Sequence, residues 1–212
     1  MPLNRRGGGD VFHIDIMDGH FVSAISFGTG IVRTMGRLTQ KPLDVHLMVE
    51  NPLPFIPELA EEKVKRVSVH YEIPGGPEKA LRAIREAGMQ AGLVLNPETP
   101  NGAAKPYLHG LDRILLMTVC PGRGGQTYLE GSNQKIAGLR SLLDRVGSRA
   151  VIQIDGGVPL KTCRKRMRQV RVALWQAVPF LAGPSSPEWL TCGGAVRSDI
   201  EENRSSPISD LE

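Results

Sequence analysis

The stretch HIDIMDGHF, at residues 13–21, begins by alternating polar and apolar residues in the way that a half-buried β-strand does. Side chains two positions apart point to the same face of a strand, so this pattern predicts that His13, Asp15 and Met17 share one face. An imidazole and a carboxylate on one face can bind a metal or transfer a proton. A single strand histidine is nevertheless more often a hydrogen-bonded core residue, so the interpretation depends on whether the pattern recurs.

The same arrangement recurs further along the chain. DVHLMV (44–49) places His46 and Met48 on one face of a second strand, and IDGG (154–157) places Asp155 at the end of another. Taken alone, an Asp before Gly usually forms a turn. Repetition of such residues at strand ends instead favours one shared site, in which two imidazoles and two carboxylates hold a divalent cation such as Zn²⁺, Fe²⁺, Co²⁺ or Mn²⁺.

Short apolar runs, rich in β-branched residues or Leu and bounded by Gly, Pro or Asn, predict six strands. They are VFHIDI (11–16), PLDVHLMV (42–49), VKRVSVHYE (64–72), MQAGLVLN (89–96), LDRILLMTV (111–119) and RAVIQID (149–155). Helical periodicity lies between them, most clearly at residues 77–88 and 129–147. Strands that alternate with helices predict a parallel sheet joined by right-handed crossovers.

Two parallel architectures fit this alternation: a doubly wound sheet and a (β/α)₈ barrel. Chemistry distributed over several strand ends is typical of the C-terminal face of a barrel, whereas an open sheet concentrates it at one crevice. The first strand is not followed by the GxGxxG of dinucleotide-binding folds. We therefore predict an α/β fold of the TIM (β/α)₈ barrel type that binds phosphate.

Composition excludes several other classes of protein. The 212 residues suit one domain, and 41% hydrophobic with 23% charged residues is typical of a soluble globular protein. No apolar run approaches the roughly 18 to 20 residues that span a bilayer, and three cysteines do not form a disulfide framework. We expect a cytoplasmic protein that binds neither membranes nor nucleic acid, because the basic run at 161–171 lacks interleaved aromatic residues.

A glycine-rich loop, CPGRGGQ (120–126), follows the fifth predicted strand. Glycines let backbone N–H groups turn inward and surround an anion, and Gly156 and Gly157 could contribute to the same cradle. The alternative is a flexible surface turn. The position late in the barrel favours a phosphate site.

Four of these segments together resemble the signatures of the ribulose-phosphate 3-epimerase family. They are HIDIMDGHFV, DVHLMVENP, MTVCPGRGGQ and IDGGV, and they occur in the family's order. The resemblance covers about residues 9–158. It implies a TIM barrel that interconverts D-ribulose 5-phosphate and D-xylulose 5-phosphate, with a sugar phosphate as its partner and a homo-oligomer as the complete family form.

The resemblance also implies a role for each site residue. The metal ligands would be His13, Asp15, His46 and Asp155. Asp15 and Asp155 would also be catalytic, because inverting C3 requires removing a proton on one face and returning one on the other. Met17, Met48 and Met117 would surround the cis-enediolate, which one divalent cation stabilises. The substrate- and phosphate-binding residues would be His46, Gly122, Arg123, Gly124, Gly125, Gly156 and Gly157.

The chain departs from the family pattern at both ends. The family begins with a strand of the type SILSADF and a helix, so we expect the first βα unit and its serine to be missing. The family ends with a strand resembling GADVLVAGSAIF, where this chain has KTCRKRMRQVRVALWQAVPFLAG (161–183). One hypothesis is a frameshift, since Val172 to Phe180, shifted by two bases, can encode GLVAGSAV. The expected organisation is one incomplete barrel over 1–212, with a doubtful eighth strand and a divergent, disordered tail at 159–212.

Three alternatives stay open from the sequence. An epimerase of a hexulose 6-phosphate, such as D-allulose 6-phosphate, would use the same site. An inactive fragment could keep the metal ligands without turnover. A nucleic-acid-binding role of the basic tail would require salt-dependent binding that is lost on deleting the tail.

Overall fold

In the part of the chain that the structure describes, seven parallel strands form one sheet, in which each strand pairs with its neighbours in chain order. They are β1 (Phe12–Met17), β2 (Leu43–Met48), β3 (Arg66–His70), β4 (Gln90–Leu95), β5 (Arg113–Met117), β6 (Val151–Asp155) and β7 (Val172–Trp175). This computed structural model describes residues 11–157 and the backbone of 172–175. All six predicted strands are confirmed. The strand β7 lies within the predicted tail, and the other tail predictions lie outside the described residues.

The described connections between β1 and β6 lie on the outside of the sheet. They contain α1 (Thr29–Leu38), α2 (Phe55–Glu61), α3 (Glu78–Glu86) and α4 (Ser132–Arg145). The helices predicted at 77–88 and 129–147 correspond to α3 and α4. A 3₁₀ segment, Asn101–Gly110, replaces an α-helix between β4 and β5. No helix in the described part of the chain is long and apolar enough to cross a membrane.

The sheet is strongly curved, because side chains from distant strands meet inside it. Asp44 of β2 accepts hydrogen bonds from Arg113 of β5 at 3.3 Å and from Gln153 of β6 at 3.1 Å. In a flat sheet, β2 and β6 would be roughly 19 Å apart. The strands therefore surround a common interior, and the predicted α/β fold of the TIM-barrel type is confirmed.

Alternation along each strand separates two environments. Residues such as Ile14, Val45 and Ile114 point outward and form the main apolar core with the helices. The intervening positions point inward, where a smaller apolar cluster of Val94, Leu115, Met117 and Val119 adjoins buried polar groups. The interior of the barrel can therefore hold charged side chains while the apolar core beneath the helices stabilises the fold.

Gly92 of β4 lies where the interior has no room for a side chain. A Cβ there would lie 2.2 Å from Ser68 Oγ and 2.8 Å from Arg113 Cγ, and both neighbours are buried. We expect Gly92→Ala to lower the free energy of unfolding by about 1–3 kcal/mol, measured by urea denaturation. Gly30→Ala is the control, because no described atom lies within 4 Å of its Cβ position on α1. Equal effects of both changes would contradict this explanation.

Candidate active site

Strands β1, β2 and β6 bring four polar side chains to one place. His13 and Asp15 lie on β1, His46 lies on β2, and Asp155 is the last residue of β6. One nitrogen or carboxylate oxygen of each residue lies within 4.8 Å of those of the other three. The side chains that the sequence predicts as metal ligands are thus adjacent, although Asp155 is far from the others in the chain.

The facing atoms identify which nitrogen each imidazole offers. His13 Nε2 lies 3.4 Å from Asp15 Oδ1, and His46 Nδ1 lies 3.1 Å from the same oxygen. His46 Nδ1 is also 3.8 Å from Asp155 Oδ2. Two imidazole nitrogens and two carboxylates form a donor set that suits a borderline divalent cation. The side chains present therefore fit the cation that the sequence predicts.

Hydroxyl groups fix the backbone at both aspartates. Ser26 Oγ donates a hydrogen bond to the carbonyl oxygen of Asp15 at 2.5 Å, and Thr118 Oγ1 donates one to that of Asp155 at 2.7 Å. In the loop after β1, Asp18 accepts hydrogen bonds from three backbone N–H groups, one of which belongs to Glu50 after β2. The two carboxylates are thus presented by strand ends that other strands and loops hold in place.

A buried carboxylate supports His13 from behind. His13 Nδ1 donates to Asp44 Oδ2 at 3.1 Å, and the same oxygen accepts from Arg113 and Gln153. Burial opposes protonation of His13, but hydrogen bonds from its ring to Asp15 and Asp44 outweigh burial and raise its pKa to about 10. Burial would raise the pKa of Asp44, but the hydrogen bond and charge of His13 lower it to about 2.

A second imidazole supports His46. His46 Nε2 lies 2.8 Å from His70 Nε2, and His70 Nδ1 lies 3.3 Å from Glu72 Oε2. The ring of Phe21 lies against His70, with 4.6 Å between the ring centroids. Burial and the neighbouring His46 lower the pKa of His70 to about 4, against the influence of Glu72. Each inward-facing imidazole therefore has a hydrogen-bond partner on its other nitrogen.

The two aspartates have opposite electrostatic environments. Burial opposes ionisation of Asp15, but hydrogen bonds from His13 and His46 outweigh it and lower its pKa. Burial raises the pKa of Asp155, and the negative charge of Asp15 adds to this effect. One carboxylate is thus stabilised in its ionised form and the other is not, which is a pattern found in acid/base pairs.

The three methionines follow the site strands at inward-facing positions. Met17 and Met48 are register partners at the ends of β1 and β2, and Met117 is the partner of Asp155. Met48 and Met117 are buried, whereas Met17 is partly exposed. The register therefore places these three residues beside the ends of the site strands.

The two glycine segments meet where Gly157 follows β6. A Cβ at Gly157 would lie 2.6 Å from the backbone N of Tyr128, so this glycine lies directly against the end of the 120–128 loop. Gly156 has φ +103° and lies against Val119. Gln126 donates hydrogen bonds to the carbonyl oxygens of Cys120 and Arg123, which holds the loop closed on itself. Of the remaining predicted loop residues, Gly122 is buried, and Arg123, Gly124 and Gly125 are exposed.

Comparison with known proteins places this geometry in a family. The sequence profile of the Ribulose-phosphate 3 epimerase family matches residues 4–173. The chain belongs to this family. It is 42% identical to ribulose-phosphate 3-epimerase of Bacillus subtilis over 159 residues, which are 74% of this chain and 73% of the relative. It is 40% identical to that of Aquifex aeolicus over 153 residues, which are 72% of this chain and 69% of the relative.

Solved structures support the fold of this epimerase family member. Tryptophan synthase of Mycobacterium tuberculosis superposes with a TM-score of 0.62 and 11% identity, covering 88% of this chain and 79% of the other. The tryptophan synthase complex of Pyrococcus furiosus gives 0.58 and 13%, covering 80% and 76%. At such identities the likeness concerns the fold alone.

Membership in the ribulose-phosphate 3-epimerase family confirms the resemblance of the four segments. Three residues that support the candidate ligands were not identified from the sequence. They are Asp44, His70 and Glu72. A signal was present for each, because Asp44 lies two positions before His46, and His70 and Glu72 are two positions apart at the end of a strand. The alternation that identified the ligands therefore also marks the residues that support them.

Proposed function

We propose that this chain epimerises C3 of D-ribulose 5-phosphate to give D-xylulose 5-phosphate. The observation that carries the proposal is the pair Asp15 and Asp155, which approach the same imidazole, His46, from two different strands. The relatives named above are ribulose-phosphate 3-epimerases. Two carboxylates at one site are what a proton removal and a proton return on opposite faces require.

Each aspartate would serve one face of the substrate. In one direction, the first carboxylate takes the C3 proton, which is acidic because C3 is next to the C2 carbonyl. The electron pair moves into the C2–C3 bond and forms a cis-enediolate. The second aspartate, in its protonated form, then donates a proton to C3 from the opposite face. The reaction neither oxidises nor reduces the sugar, so no organic cofactor is needed.

The four clustered residues would hold one divalent cation. The ligand atoms would be His13 Nε2, His46 Nδ1 and one oxygen each of Asp15 and Asp155, which are the atoms that face one another. The cation would polarise the substrate carbonyl and stabilise negative charge on the enediolate oxygens. Zn²⁺, Fe²⁺, Co²⁺ and Mn²⁺ all suit this mixed nitrogen and oxygen set.

The surrounding residues would bind and shield the sugar phosphate. Met17, Met48 and Met117 would exclude water from the enediolate with their apolar, polarizable side chains. Backbone N–H groups of Gly122, Gly124, Gly125, Gly156 and Gly157 would bind the phosphate, and the exposed Arg123 would add positive charge. His46 would lie beside the reacting carbons as well as the cation.

Direct assay of the purified chain tests the proposal. D-ribulose 5-phosphate should be converted to D-xylulose 5-phosphate, and in D₂O the product should carry deuterium at C3, detected by NMR. D-allulose 6-phosphate is the comparison substrate and should turn over more slowly. No turnover of either sugar by the cation-loaded chain would contradict the proposed function.

Removing the cation should abolish most of the activity. Loss of several kcal/mol of charge stabilisation corresponds to a fall in kcat of at least about 100-fold after dialysis against a chelator. Adding Zn²⁺, Mn²⁺ or Co²⁺ should restore turnover. Mg²⁺ is the control and should restore less, because it binds poorly to imidazole nitrogen. Full activity in the chelated chain would contradict a role for the cation.

A further inference from the structure

We propose that His70 and Glu72 are positioning residues that fix the tautomer and the ring orientation of His46 at the cation site. The proposal rests on the proposed function, since it assigns a purpose to residues behind one of the ligands. His70, at the end of β3, is buried, and Glu72, in the loop that follows, is partly buried. The epimerisation chemistry itself uses neither side chain.

The contact between the two imidazoles requires one proton. His46 Nε2 and His70 Nε2 are 2.8 Å apart, which is a hydrogen-bond distance between two ring nitrogens. A neutral imidazole has one N–H and one bare nitrogen, so one ring must donate and the other must accept. The direction of this bond decides which nitrogen of His46 is bare.

Glu72 sets that direction. Its carboxylate accepts from the backbone N–H of Asn96 at 3.0 Å and from the hydroxyl of Thr99, so it is held as an acceptor. His70 Nδ1, 3.3 Å from Glu72 Oε2, must therefore carry the hydrogen. The Nε2 of a neutral His70 is then bare and accepts from His46 Nε2. With its hydrogen on Nε2, His46 can offer a bare Nδ1 to a cation, which would then replace the 3.1 Å contact of Nδ1 with Asp15 Oδ1.

Packing prevents the rings from turning. Neither His46 nor His70 has any exposed surface, and their ring centroids lie 4.9 Å apart with the ring planes 25° from parallel. Phe21, from the loop after β1, covers His70 on another side. A flipped His46 would lose its partner on Nε2 and turn a ring carbon, instead of Nδ1, toward the carboxylates. The pair therefore favours the tautomer of His46 that binds a cation and opposes rotation of its ring.

The other inward-facing ligand imidazole, His13, is supported by a carboxylate without an intervening side chain. His13 donates directly from Nδ1 to the buried Asp44. Carboxylates behind ligating histidines typically change metal affinity by 10–100-fold. For His46 the supporting carboxylate is Glu72, which acts through the imidazole of His70. We therefore expect loss of this support to change metal affinity in the same range.

Titration of the metal-free full-length chain with Co²⁺ tests the proposal, with the dissociation constant and the visible absorption spectrum as readouts. His70→Phe should weaken Co²⁺ binding by 10–100-fold and change the spectrum. His70→Gln should keep the affinity within about threefold, because a carboxamide can accept from His46 and donate to Glu72. Glu72→Gln, more distant from the cation, should also weaken binding. His109→Gln and Glu98→Gln, both exposed, are the matched controls.

Each outcome distinguishes the two proposals. Co²⁺ binding by folded His70→Phe and Glu72→Gln with the affinity and spectrum of the parent chain would overturn the positioning role alone. A loss in His70→Gln equal to that in His70→Phe would also overturn it, because hydrogen-bond direction would then not matter. If His70→Phe does not fold, Glu72→Gln and His70→Gln decide the matter. Failure of the parent chain to bind Co²⁺ would overturn the cation site and this proposal together.

Discussion

Asp155→Asn should lower kcat for C3 epimerisation by about 10²–10⁴-fold, the usual contribution of a general acid or base. Asparagine has nearly the same shape, but its amide can neither take nor return the proton. Asp155 is buried at the end of β6, and Thr118 holds its backbone carbonyl, so the substitution should leave the strand in place. Initial rates with D-ribulose 5-phosphate measure the effect, and Asp144→Asn, on the exposed side of α4, is the control.

Exchange of the sugar's C3 proton with solvent distinguishes the loss of one proton transfer from a general loss of activity. In the proposed mechanism each sugar loses its C3 proton to a different aspartate, so in D₂O the Asp155→Asn chain should exchange the C3 proton of one sugar and not of the other. Asp15→Asn should reverse that preference if it still binds the cation. Turnover of Asp155→Asn close to that of the parent chain would remove Asp155 from the proposed mechanism.

Strand positions could be predicted from the sequence because each strand has one face against the helices and one face inside the barrel. Pairs such as Ile14 and Ile16, or Ile152 and Ile154, mark the outward face at a spacing of two residues. Helix α1 escaped prediction because Gly30 and Gly36 lower its helix propensity. The 3₁₀ segment at Asn101–Gly110 contains Pro106, which is incompatible with a regular α-helix interior.

The candidate site could be predicted in part for the same reason. His13 and Asp15 are marked by strand alternation, which is a local pattern. The contact of Asp44 with Gln153 joins residues 109 positions apart, and no local period encodes it. It depends on the curvature of the sheet, which brings β2 and β6 together. The direct ligands could therefore be proposed from sequence, whereas the long-range contacts of the groups that orient them required the structure.

Asp44→Ala should lower the free energy of unfolding by about 3–5 kcal/mol, which is the usual cost of leaving one member of a buried ion pair without its partner. Asp44 has no exposed surface, and its Oδ2 accepts from His13 Nδ1, Arg113 Nη1 and Gln153 Nε2. Removing the carboxylate leaves the Arg113 guanidinium, in a residue that is 7% exposed, without its ion-pair partner. Urea denaturation of the metal-free chain measures the loss.

Two comparisons identify the uncompensated charge as the cause. Glu78→Gln removes the exposed ion pair with Arg82 on α3, and should change the free energy of unfolding by at most about 1 kcal/mol. Asp44→Leu combined with Arg113→Met removes both charges, and should recover part of the stability lost in Asp44→Ala, because no guanidinium is then left buried. If Asp44→Ala lowers the free energy of unfolding no more than Glu78→Gln does, the Asp44 carboxylate does not stabilise the interior of the barrel. A double variant less stable than Asp44→Ala would instead indicate that the polar network stabilises the barrel beyond simple charge compensation.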